Sequence, residues 1–483
     1  MHARGDDPAV VIVGGGIAGL TCAFELADRG IASTVYEASG RIGGRMFTNT
    51  SYFAAGQVAE WGGELIDTDH RTIRQLARRF ALRLDDLLEA QPPGSEDIYY
   101  FFGHYYPKAQ ADIDFKPVFD AVVADEASAP FPTTFDDFTP CGKVLDAMSV
   151  YDWIESRVPG GHGSSLGMLL DTAYAIEYGA DTKKQSSLNL IYLLAFQPEP
   201  PKLSIFGESD EHFHIRGGNQ QLPEAIADYL GVGDAVVTGR KLVKIKETSA
   251  GRYCLTFEHG SSTTDVTADY VVLAMPFAVL RHVDISEAGF DALKLQAIKE
   301  LGRGNNGKIQ LQFPTRPWAQ TGPWPGVSNG SSYADTGYQA SWEATRAQSG
   351  TKGLLVGYSA GSVTDALTSN RAFATASNAA VHDDAMTTLA QLEPVFPVFQ
   401  EPTPQWNGKA ILSLPQKSDF FRASYAFYRV GQYTTFAGYE AVRQGGVLFC
   451  GEHTSIAFQG FMEGGASEGT RAAKELRQII RGA

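Results

Sequence analysis

Ala9-Val10-Val11-Ile12-Val13 runs directly into Gly14-Gly15-Gly16-Ile17-Ala18-Gly19, and this junction decides the fold. The apolar, β-branched run reads as a strand buried on both faces, as in a parallel sheet. Gly14, Gly16 and Gly19 occupy the three positions of GxGxxG. Gly14 permits the tight turn, Gly16 lets the backbone approach a pyrophosphate, and Gly19 lets the next helix pack closely on the strand. That helix carries Leu20, Phe24 and Leu26 and is expected to end near Gly30. Its N-terminus, at Ile17 and Ala18, offers free N–H groups and positive dipole to phosphates. A second strand, Ser33–Tyr36, ends at Glu37, 23 positions after Gly14, where an acid meets ribose hydroxyls. Together these features predict an α/β domain that binds a dinucleotide.

The continuation separates flavin from nicotinamide. Glu37 is followed by Ala38-Ser39-Gly40-Arg41-Ile42-Gly43-Gly44-Arg45. Gly43 and Gly44 give a second close backbone approach, and Arg41 and Arg45 supply guanidinium groups suited to phosphate oxygens. A nicotinamide enzyme does not need this second loop. The stretch resembles the GGR motif of the flavin amine oxidase family. So do Glu60-Trp61-Gly62-Gly63, Arg216-Gly217-Gly218 and Ala268-Asp269-Tyr270-Val271-Val272. The C-terminus is similar to the family's closing motif, with Gly451-Glu452-His453-Thr454 after a strand and Gly460-Phe461-Met462-Glu463-Gly464 opening a helix.

The resemblance covers essentially the whole chain and implies a GR2-type, Rossmann-like α/β fold. It implies FAD held by Gly14, Gly16, Ile17, Ala18, Gly19, Glu37, Ala38, Arg41, Gly43, Gly44 and Arg45, and by Gly62, Gly63, Glu64, Leu242, Gly451, Glu452, Gly460, Phe461 and Met462. The Met462 helix N-terminus would face the flavin N1–C2=O edge, where the reduced ring carries negative charge. Ser424 stands where some monoamine oxidases carry a flavin-linked cysteine, so non-covalent FAD is expected.

The rest of the chain bounds the answer. It has 483 residues, enough for two to four domains, and a net charge of −15 from 40 basic and 55 acidic residues. That balance argues against nucleic acid and anionic membranes as general partners. The four cysteines form no CxxC and no metal pattern, and Cys22 and Cys450 sit in apolar runs as buried free thiols. No metal is expected. Without an apolar leader before the first strand or a run long enough to cross a bilayer, a cytoplasmic setting is the default. Homodimers are common in the family.

Three flavin-type pieces, 1–66, 214–305 and 445–483, predict a discontinuous FAD-binding domain. Residues 67–213, read as mostly helical, and 306–444, read as strands plus a helix over Arg371–Leu392, would form an interleaved α+β substrate domain with a helical part.

For the chemistry, the resemblance implies hydride transfer from the amine-bearing carbon, imine hydrolysis, and oxygen reoxidising the flavin to give peroxide. Lys308 takes the family's lysine position near flavin N5. Tyr425 and Phe461 match the two walls of the aromatic cage, and Trp406 stands near the family's upstream tryptophan. An amino-acid substrate needs a carboxylate anchor. Leu65 lies where secreted L-amino acid oxidases place an arginine, leaving Arg216 as a substitute and Glu64 as a possible partner of the substrate amine. The leading expectation is an FAD-dependent L-amino acid oxidase using molecular oxygen. The alternative is a monoamine or polyamine oxidase, and a dehydrogenase or a flavin-bound scaffold would share the fold.

Overall fold

The computed structural model describes residues 8–400 and 406–482. Residues 1–7, on which part of the leader argument rests, lie outside them. Among the described residues no helix is long and apolar enough to cross a membrane.

The first strand is Val10–Val13, buried throughout, and the glycine turn leads into the helix Ile17–Ala27. Five parallel strands form one sheet in the order Val447–Phe449, Tyr270–Leu273, Val10–Val13, Thr34–Tyr36 and Val236–Val237. The sheet therefore draws neighbours from both ends and the middle of the chain. Gly14 sits at φ 117°, and an added Cβ would lie 2.5 Å from the Ala274 carbonyl oxygen. At Gly19 a Cβ would come within 2.1 Å of the Gly14 oxygen. The helix approaches its strand this closely only because both positions lack a side chain. Gly19→Ala is expected to cost about 1–3 kcal/mol from overpacking, read as a drop in the melting midpoint; an unchanged midpoint would show that the turn relaxes freely.

The closing helix, Met462–Gly482, packs on Ile17–Ala27. A Cβ at Gly469 would meet the Ala18 oxygen at 2.3 Å. Cys22 and Cys450 are both buried and free, as their apolar contexts predict.

A second, mixed sheet has eight strands in the order Phe373–Thr375, Ala410–Ser413, Asn306–Phe313, Gly353–Ala360, Ala340–Glu343, Val327–Ala334, Ser95–Phe101 and His104–Tyr106. Residues 67–213 carry a set of helices and also give this sheet its last two strands. One expectation is corrected here. The helix expected from Arg371 starts at Ala379, after the Asn378 side chain accepts from the Ala380 N–H. The segment before it, Phe373–Thr375, pairs instead with Ala410–Ser413.

Alternation along Asn306–Phe313 carries the architecture into the site. Ile309, Leu311 and Phe313 join an apolar core. The opposite face stitches the sheet to residues 54–64. Gln312 Nε2 donates to the Ala54 oxygen at 2.9 Å, Gln310 Nε2 to the Glu60 oxygen at 2.7 Å, and Lys308 Nζ to the Gly62 oxygen at 2.8 Å. Period-2 geometry thus aims three polar side chains at one loop.

Candidate active site

A cavity of about 430 Å³ opens where the two sheets meet. Its lining includes Gly14, Gly16, Ile17, Ala18, Glu37, Ala38, Gly43, Gly44 and Arg45, with Gly62, Gly63, Glu64, Leu65 and Leu242. Lys308, Tyr425, Gly451, Glu452, Gly460, Phe461 and Met462 line it as well. Most of the residues singled out in the sequence are therefore brought to one space.

The loops hold each other in register. Gly43 N–H donates to the Gly15 oxygen at 2.9 Å, and a Cβ on Gly16 would meet only the Gly44 Cα, at 3.8 Å. Backbone on both sides of the cavity is thus open to a ligand. Glu37 Oε2 accepts from the Gly15 N–H at 2.8 Å while Oε1 accepts from Ser39. Arg45 Nη1 donates to Glu452 Oε1 and to the Ser424 oxygen, both at 2.8 Å. Glu452 also accepts from the Gly460 N–H at 2.9 Å. Burial alone would raise the Glu452 carboxyl, but Arg45 and its other partners outweigh that and hold it below the ordinary range.

Four residues depart from expectation. Gly19 serves the helix–strand contact and does not line the cavity. Arg41 turns back onto its own loop, donating to the Ile42 and Gly44 oxygens with its guanidinium 3.8 Å from the Phe47 ring centre. Burial lowers its pKa to about 10. Arg216, proposed as a carboxylate anchor, is exposed and bonded to Asp85 at 2.6 Å, outside the cavity lining. Trp406 is core: it belongs to the apolar cluster that also holds Ile309 and Leu311, and its Nε1 donates to the Lys409 oxygen.

Lys308 is buried rather than solvated, at 6% exposure. Besides Gly62 it binds Glu64 Oε2 at 3.1 Å, and Glu64 Oε1 accepts from Trp342 Nε1 at 3.0 Å. Glu64 is therefore already paired and is not a free acceptor for a substrate amine. Tyr425 donates to the Ile176 oxygen and lies 3.3 Å, oxygen to oxygen, from the Tyr358 hydroxyl. The Tyr425 ring lies near Gly460, which directly precedes Phe461.

Sequence reasoning missed several carboxylates of this cavity. Asp67, Asp97, Glu177 and Glu211 also line it, with Tyr333, Trp342 and Tyr358. Asp67 accepts from Ser209 Oγ at 2.6 Å and the Glu211 N–H at 2.9 Å. Asp97, Glu177 and Glu211 have no side-chain hydrogen bond among the described residues. Desolvation and repulsion from Asp67 push Glu177 and Glu211 up to about 8, and desolvation raises Asp97. A signal was present for one of them: Glu177 interrupts an apolar helix, Ser165–Tyr178, in which nine residues are buried.

The folded state therefore holds extra protons between the ordinary carboxylate range and about pH 8, so stability falls as pH rises through that window. The Glu177→Gln, Glu211→Gln double variant is expected to flatten this slope in thermal melts from pH 5 to 9; an unchanged slope would show that other groups set it. Asp67, Asp69 and His70 place ligand atoms within 4.8 Å of one another. The His70 Nδ1 is already taken by the Asp67 N–H, so no free metal-ligand set results.

The turn, the second glycine loop and the Arg45–Glu452 clamp define a flavin-binding enzyme fold. The model of the family described as flavin containing amine oxidoreductase matches residues 17–477, and the chain belongs to that family. It is 24% identical to YobN of Bacillus subtilis (strain 168) over 97% of this chain and 95% of that protein. It is 22% identical to an L-amino-acid oxidase of Echis ocellatus over 97% of this chain and 89% of that one. Among solved structures, cyclohexylamine oxidase from Brevibacterium oxydans IH-35A is similar with a TM-score of 0.80 at 21% identity, covering 98% of this chain and all of that one. A putrescine oxidase bound to putrescine has a TM-score of 0.77 at 19% identity, covering 98% and 99%.

Proposed function

We propose that this chain is an FAD-dependent L-amino acid oxidase whose substrate carries a second positive charge, as in lysine or arginine. The observation that supports it most is the cavity lining: Asp97, Glu177 and Glu211, without a side-chain hydrogen bond among the described residues, line the lumen beside Tyr333, Tyr358 and Tyr425. Carboxylates interleaved with aromatic faces suit a distal ammonium or guanidinium. The relatives that are L-amino-acid oxidases support the amino-acid part. Bound FAD would accept the hydride from the substrate carbon and pass the electrons to oxygen.

The chain's own residues would do the rest. Gly14–Gly19, Gly43–Arg45 and Glu452 would hold the cofactor without a covalent link, since Ser424 offers no thiol. Tyr425 and Phe461 would flank the amine, and Lys308 would stand at the reacting end. The same reading assigns 1–66, 214–305 and 445–483 to holding the flavin and the remainder to shaping the substrate space.

A second reading, a diamine or polyamine oxidase, is favoured by the arginines of the lining. Among the described residues these are Arg45, Arg240 and Arg422. Arg45 is held by Glu452, Arg422 by Asp419, and Arg240 donates to the Gly239 oxygen. Arg45 and Arg422 are thus paired with carboxylates, and Arg240 stands beside Glu37, its N–H donating to the Glu37 oxygen at 2.8 Å, so none of them is placed with Tyr425 to take a substrate carboxylate.

Matched substrates separate the readings. Peroxide release would be measured with L-lysine against cadaverine and with L-arginine against agmatine, pairs that differ only in the carboxylate. Faster turnover of the amino acids is the expected result. Turnover of the decarboxylated partners alone would replace it with the second reading. Yellow colour remaining in an acid-precipitated pellet would contradict non-covalent flavin.

A further inference from the structure

We propose that the Asp67–His70 turn is a positioning element that sets the span between the Phe461 ring and Glu211 and so selects the chain length of the substrate. The proposal rests on the reading of this cavity as the site of an amino acid oxidase whose substrate carries a distal cation.

The turn is closed on itself twice. The His70 N–H donates to the Asp67 backbone oxygen at 3.2 Å, and the Asp67 N–H donates to His70 Nδ1 at 3.0 Å. With Nδ1 accepting, a neutral imidazole carries its proton on Nε2, which lies 3.5 Å from Asp67 Oδ2. His70 is 1% exposed, and burial lowers its pKa, which favours this neutral form. Four residues therefore fix both side chains against each other.

One of these side chains holds the acidic end of the cavity. The Asp67 carboxylate accepts from Ser209 Oγ at 2.6 Å and from the Glu211 N–H at 2.9 Å. Beside it the Thr68 N–H donates to Asp210 Oδ1 at 2.8 Å, and Ile66 and Phe213 exchange both backbone hydrogen bonds, at 2.8 and 2.7 Å. Residues 209–213 are thus laced to 66–68. Glu211 forms no side-chain hydrogen bond among the described residues, so its place is set by the backbone that Asp67 holds.

The other side chain holds the aromatic wall. The His70 ring meets Phe461 edge-on with centroids 5.3 Å apart, and Phe458 at 5.6 Å. Two residues past Phe461, Glu463 accepts from the Thr72 and Ile73 N–H groups, both at 2.9 Å, at the start of the helix Arg71–Arg79. Phe461 and Glu211 both line the cavity. Three chain steps reach at most about 11 Å, and this closed turn spans less. A substrate held at its α-amine by Tyr425 and Phe461 therefore meets Glu211 at one chain length.

Turnover of L-lysine, L-ornithine and L-norleucine by the flavin-loaded enzyme would be followed as peroxide release. Wild type is expected to separate lysine from ornithine about tenfold in kcat/KM, the scale of one methylene in a fitted site. Ser209 lies outside the cavity lining. Ser209→Ala should move the ratio about threefold toward unity, the scale of one hydrogen bond, and leave norleucine unchanged. Asp67→Ala, which loses both ties, should move it further. Asp67→Asn keeps an acceptor for the Glu211 N–H and a donor for Ser209 Oγ, and should restore the wild-type ratio.

Wild-type ratios in both Ser209→Ala and Asp67→Ala, or a wild-type enzyme that treats lysine and ornithine alike, would overturn the proposal. So would an Asp67→Asn variant as flat as Asp67→Ala, which would make Asp67 a direct partner of the cation through its charge. An equal loss on all three substrates with a lower melting midpoint would reduce the turn to a structural role. Norleucine turned over as fast as lysine by wild type would instead sink the distal-cation reading, and this proposal with it.

Discussion

Lys308→Met is expected to slow reoxidation of the reduced flavin by oxygen about 10²-fold or more, the scale of losing one preorganised charge at a developing anion. Reduction by substrate should slow far less. Lys308 is placed for this by the alternation of its strand and by two fixed partners, the Gly62 oxygen at 2.8 Å and Glu64 Oε2 at 3.1 Å. The same change leaves the buried Glu64 carboxylate with only Trp342, so folding stability should fall by about 3–5 kcal/mol. The two effects are separable. Adding Glu64→Gln should recover much of the stability and none of the oxygen reactivity. Stopped-flow mixing of reduced enzyme with oxygen reads the first effect and denaturant titration the second. Equal slowing of both half-reactions by Lys308→Met would reject the role at oxygen.

The second large effect concerns the acidic end of the cavity. Replacing both Glu177 and Glu211 by glutamine is expected to lower kcat/KM for L-lysine about tenfold, since Glu177 is half-buried and Glu211 exposed, and partly solvated charge contacts are worth about 1 kcal/mol each. An uncharged substrate of the same length, L-norleucine, should gain or stay level. The wild-type preference for lysine should also strengthen as pH rises through about 8, where both carboxyls ionise. A double variant with wild-type lysine kinetics would show that these groups do not face the substrate.

Much of this was legible in the sequence because it is local. The glycine turn, the second glycine loop and the Gly451–Gly464 stretch each carry their geometry within a few residues. Lys308 was singled out through the family resemblance, and the strand's period-2 alternation puts it on one face with Gln310.

What stayed hidden depends on partners far away in the chain. Arg41 and Arg45 look alike on paper. Only Arg45 reaches Glu452, 407 positions on, while Arg41 folds back on Phe47. Phe373–Thr375 reads as the start of a helix until its pairing with Ala410–Ser413 is known. Trp406 fits a site motif by residue type, yet its surroundings are apolar core. Asp97, Glu177 and Glu211 come from a strand, a helix and a loop, and nothing in the spacing between them signals a shared lumen. The net charge of −15 gave no hint of it either, although part of that excess now has a place lining the cavity.

The most direct test of the central claim is the rate at which L-lysine, compared with L-norleucine, bleaches the enzyme-bound flavin in the absence of oxygen. The two differ only in the distal ammonium, which the acidic lining would receive. Bleaching about tenfold faster with lysine is the result expected from a cation held by partly solvated carboxylates. Equal rates, or bleaching by norleucine alone, would contradict the account.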